Sequence, residues 1–70
     1  MIRMEDVIVL DMIAPDVLFA VLRGEGSLEV RFHPEKMEAD LVRVYPDGTE
    51  WKGRIGATSA RNALEDFLGG

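Results

Sequence analysis

Seventy residues with no cysteine and a single histidine leave room for one small domain, residues 1–70, and exclude a disulfide framework or a thiolate metal site. The chain is 47% hydrophobic and 30% charged, too apolar for intrinsic disorder. Thirteen acids against eight Lys and Arg give a net charge of −5, which opposes non-specific attraction to nucleic acid or to an anionic membrane.

No stretch approaches the ~20 apolar residues that a membrane span requires. Glu5, Asp6 and Asp11 interrupt the first apolar run, the wrong profile for a secretory signal. A cytoplasmic protein with no membrane partner is therefore expected. A chain of this length buries only about 60% of the surface its unfolded form exposes. Small folds without disulfides often compensate with a second subunit, so a homodimer is expected too.

Residues Asp6–Ile13 are rich in Val and Ile and read as a first strand. Ala14-Pro15-Asp16 is a turn signal. Val17–Arg23 is apolar throughout, and periodicity alone does not separate strand from helix there. Pro15 before it and Gly24 after it would fit a short helix over residues 16–23, giving a β-α-β-β-β-α order. A strand is preferred, because so short a segment makes a poor helix and Gly24-Glu25-Gly26 supplies a hairpin turn toward Ser27–Phe32.

Leu28–His33 alternates, with Leu28, Val30 and Phe32 on one side and Glu29, Arg31 and His33 on the other. After His33-Pro34-Glu35, the arms Leu41–Tyr45 and Glu50–Ala57 flank Pro46-Asp47-Gly48. In that turn Pro presets φ, Asp bonds its own backbone and Gly takes a positive φ. Parity assigns Val42 and Val44 to the dry face, together with Trp51 and Ile55, and Arg43 and Tyr45 to the wet face. Thr58 or Ser59 then caps a helix whose apolar stripe is Ala60, Ala63, Leu64, Phe67 and Leu68, stopped at Gly69. The expected fold is α+β: a small antiparallel sheet of four to five strands, meander-like, packed by one C-terminal helix, with Trp51 in the core.

Two surfaces stand out. The wet face gathers Arg31, His33, Arg43, Tyr45, Lys52 and Arg54, cations with an aromatic among them, as in modules that hold single-stranded nucleic acid. The plainer alternative is a solvated face whose cations pair with Glu29 and Glu50. Acids at Glu35, Glu38, Asp40, Asp47, Glu65 and Asp66 offer a surface for a basic protein partner. The charge balance favours this second use. The expectation is a non-enzymatic interaction module, a regulator or inhibitor that binds a larger protein through an acidic or apolar surface. A single-stranded nucleic-acid-binding module is the alternative.

Signals for chemistry are weak. His33 is the only imidazole, and Ser27 lies about 20 Å away along the same strand, too far to be activated by it. His33-Pro34-Glu35 has no distal metal ligand, and Arg23-Gly24-Glu25-Gly26-Ser27 lacks phosphate-loop spacing. No catalytic residue, metal or cofactor is expected. Gly56-Ala57-Thr58 followed by Ala63-Leu64 resembles the strand-to-helix junction of HicB-like antitoxin domains over about fifteen residues. Gly69-Gly70 resembles the diglycine end of ubiquitin-like proteins, but here a helix precedes it rather than a strand. Neither resemblance carries a function to this chain.

Overall fold

The computed structural model describes residues 2–69; Gly70 of the diglycine lies outside the described residues. A short 3-10 turn, Met4–Asp6, leads into five strands and one helix. The strands are β1 (Val7–Ala14), β2 (Val17–Leu22), β3 (Gly26–His33), β4 (Glu38–Val44) and β5 (Glu50–Gly56), and the helix is α1 (Ala60–Leu68). Each strand pairs antiparallel with its neighbour in sequence, so the sheet runs β1-β2-β3-β4-β5 as a meander. This is the α+β fold expected, and Val17–Leu22 forms a strand rather than the alternative helix over residues 16–23.

Local chemistry explains the turns. Between β1 and β2, Pro15 presets φ and Asp16 takes φ +64°, a left-handed conformation that Asp tolerates. Between β2 and β3 the chain reverses through Gly24 at φ +66° and re-enters the sheet at Gly26, φ +86°. A Cβ on Gly26 would overlap the carbonyl oxygen of Val44, so β4 closes over that position. Between β4 and β5, Asp47 Oδ1 accepts from the Thr49 hydroxyl at 2.7 Å and from its N–H at 3.0 Å. These two bonds, the hydroxyl first, hold the Asp47 carboxyl below its ordinary pKa. Gly48 follows at φ +90°.

One face of the sheet carries the core. Leu18, Ala20 and Leu22 of β2, Leu28, Val30 and Phe32 of β3, and Ala39 and Leu41 of β4 are buried against Ala60, Ala63, Leu64 and Leu68 of α1. Ser59 caps the helix, its Oγ accepting from the Asn62 N–H at 3.0 Å, while Asn62 Oδ1 accepts from the Thr58 N–H. Gly69, at φ +79°, donates its N–H to the Glu65 carbonyl and ends it. Glu65 is matched by Arg61 one turn earlier, at 3.2 Å.

Register corrects two expectations. Leu41 stands opposite Val30 on one side and Gly53 on the other, so Ala39, Leu41 and Arg43 face the helix while Val42 and Val44 face away. The dry and wet sides of β4 are thus the reverse of the assignment by parity, because Ala39 and Leu41, both fully buried, anchor the strand. Trp51 does lie on the helix side with Ile55, but its indole is 42% exposed, stacked on Phe67 at the rim rather than buried in the core.

Candidate functional site

The helix is only nine residues long, about 14 Å. Its contacts are chiefly with β3 and β2 and at most slight with β1. The two edges of the sheet consequently differ. The β5 edge carries Glu50, Lys52 and Arg54, and charged side chains are a common protection against strand addition. The β1 edge carries Ile8, Val9, Leu10, Met12 and Ile13, with Asp11 its only charge. Of the seven large apolar side chains exposed among the described residues, these are five. Register shifts at Ile8 and Ile13 bracket a regular run from Val9 to Met12. Along that run Leu10 and Met12 share the helix side with Ala20 and Leu18, while Val9 and Asp11 share the outer side with Val21 and Phe19. The strand is thus apolar on both faces, with one side of its backbone unpaired among the described residues.

The six residues proposed for nucleic acid do not share a face. Arg31, His33, Lys52 and Arg54 stand on the outer side, and Arg43 and Tyr45 on the helix side. The outer cations are interleaved with carboxylates. Arg31 lies 3.5 Å from Glu29. Asp40 takes two partners, His33 Nε2 at 2.9 Å and Arg54 Nε at 2.8 Å. The His33 bond and then the Arg54 bond hold the Asp40 carboxyl below its ordinary pKa, and the same contact raises that of Arg54.

On the helix side, the Arg43 guanidinium lies over the Tyr45 ring, 4.4 Å from its centroid, with Nη2 3.4 Å from Glu25 Oε2. The Arg43 side chain is 13% exposed, and its buried Nε has no hydrogen-bond partner. Glu25, Arg43 and Tyr45 form one wall of an open depression of about 560 Å3, with Ile2, Phe67 and Leu68 among its other residues.

The acidic residues are spread over three regions. Glu35 and Glu38 lie at the β3–β4 turn and Asp47 at the opposite end of β4, while Glu65 and Asp66 are on the helix. Asp40, Asp47 and Glu65 are engaged within the chain already. The apolar β1 edge was missed in its particulars, since strand order decides which strand is left open; its Val/Ile-rich run without basic residues was the available signal.

No helix among the described residues is long and apolar enough to cross a membrane, and no three or more His, Asp or Glu gather there in a metal-binding arrangement. A scan against protein-family models finds no match, and no curated protein or solved structure matches the chain.

Proposed function

We propose that this protein is a non-enzymatic interaction module, a regulator or inhibitor that binds a protein partner by accepting a strand on its β1 edge. The observation that carries this is the concentration of exposed apolar side chains on one unpaired edge strand. Strand addition supplies affinity through main-chain hydrogen bonds and specificity through alternate side chains. Covering five half-exposed apolar side chains contributes about 4–8 kcal/mol from this strand alone, before the cost of association. The acids of the β3–β4 turn and the helix lie off this edge and would steer a basic partner toward the module.

The test places a photo-crosslinking residue at position 12 on β1 or position 52 on β5, in cells that make the protein. Protein adducts from position 12 and none from position 52 are expected. Adducts from position 52 alone, or from neither, contradict the proposal.

Single-stranded nucleic acid is the second candidate partner, resting on Arg31, His33, Lys52 and Arg54 of the outer face. The support is weaker, because Asp40 and Glu29 already pair with three of the four. Anisotropy of a labelled oligonucleotide at about 50 mM and about 200 mM salt decides it. Binding that collapses at the higher salt would favour nucleic acid.

A further inference from the structure

We infer that the occupant of the β1 edge is a second copy of this chain, paired antiparallel about a two-fold axis with Leu10 facing Leu10. This rests on the reading of β1 as a strand-accepting edge and names its partner.

Three features of the strand carry it. First, its regular run is nearly uncharged, so an acidic chain meets its own copy there without juxtaposed charge, provided that Asp11 avoids itself. Second, neighbouring antiparallel strands keep a common pleat, so residues facing each other point to the same side of the sheet. A two-fold axis perpendicular to the sheet therefore runs between two copies of one residue. Placing Asp11 there would oppose two carboxylates, which is destabilising. Placing Leu10 there sets Asp11 opposite Val9 of the second copy and brings Met12 toward the bulged Ile8. Third, the side of β1 that α1 leaves uncovered would meet the same uncovered side of the second copy, so Leu10 and Met12 gain apolar neighbours.

The product is a ten-stranded sheet with both helices on one face and the charged β5 strands at its outer edges. A larger protein that offers its own strand competes with the second copy for the same edge, so occupancy of β1 becomes the point at which the module is regulated.

Sedimentation equilibrium of the purified chain, with circular dichroism to check folding, tests this. The mass expected at about 100 μM is near twice 7.8 kDa. Leu10→Lys places two ammonium groups face to face and is expected to weaken the dimer at least tenfold. Val9→Lys places each ammonium opposite Asp11 and is expected to leave it within about threefold of the parent. Should Leu10→Lys fail to fold, the exposed Met12→Lys replaces it, with the same expected loss. A monomeric parent, or a dimer that Leu10→Lys or its replacement leaves intact, overturns the inference. In either case the position 12 adducts judge the strand-accepting edge separately: an adduct with another protein upholds that proposal without self-pairing.

Discussion

The indole of Trp51 stacks on the ring of Phe67, with centroids 5.5 Å apart and planes inclined by 23°. This contact ties β5, one of the two edge strands, to the helix. It is possible because Gly53, two residues along the same face, has no side chain: a Cβ there would run into the far end of the indole. Gly53→Ala is expected to push the ring off Phe67 and shift tryptophan emission to the red. Because that end of the ring is free to move, stability should change by no more than about 1 kcal/mol. An unchanged emission spectrum would contradict this account of the rim.

Gly24 and Gly26 provide a matched comparison. Both have positive φ, but a Cβ at Gly24 meets open space while one at Gly26 meets the Val44 backbone. Gly24→Ala is expected to cost about 1–2 kcal/mol, the left-handed penalty alone. Gly26→Ala should cost at least about 2 kcal/mol more, since a backbone shift between β3 and β4 is added. Urea unfolding of the two variants measures the difference; equal costs would contradict it.

Arg43 is a poor probe of the outer face, because it lies on the helix side with an unpartnered Nε. Arg43→Met keeps the aliphatic stem. It loses a cation–π contact of about 0.5–1 kcal/mol and the partly exposed Glu25 contact, and it removes an unpartnered buried donor that costs about 1–3 kcal/mol, so near-neutral stability is expected. Arg43→Glu sets an acid beside Glu25 in a mostly covered site and should cost about 2 kcal/mol or more. If both variants unfold at the same urea concentration, the described environment of Arg43 is wrong.

The Asp40 cluster predicts an acid dependence. The folded carboxyl is held low by His33 and Arg54, so its contribution is complete above the ordinary carboxylate pKa of 3.8. That contribution is lost as pH falls below about 4, through the lowered folded value. Asp40→Asn should therefore be less stable than the parent near neutral pH and converge on it in acid. A difference independent of pH between about 6 and 2 would contradict the linkage.

The turns were legible because their requirements are local: Pro15-Asp16, Gly24 and Pro46-Asp47-Gly48 each announce the backbone conformation they adopt. The helix limits were legible for the same reason, in Ser59 and Gly69. The face of β4 was not, since Ala39/Leu41/Arg43 and Asp40/Val42/Val44 are both mixed rows. Only pairing with Val30 and Gly53 decides which turns inward. The exposure of β1 was equally hidden. It depends on a meander that leaves β1 outermost and on a helix too short to cover it, and neither is written in residues 7–14 themselves.

Salt separates the proposed partners. Two chains of net charge −5 repel, so screening should tighten a dimer joined through apolar β1 strands. Binding of a nucleic acid should weaken under the same change. Sedimentation at low and high salt reads the first effect; a dimer that dissociates as salt rises would contradict an apolar interface.

Hydrogen exchange along β1, at low and high protein concentration, reads out pairing of that edge with a second copy residue by residue. The β1 amides that do not bond β2 are predicted to exchange quickly in dilute protein and to become protected as concentration rises, while β5 amides on the opposite edge remain unchanged. Fast exchange of those β1 amides at every concentration would show an edge left open, and would contradict strand pairing there by a second copy.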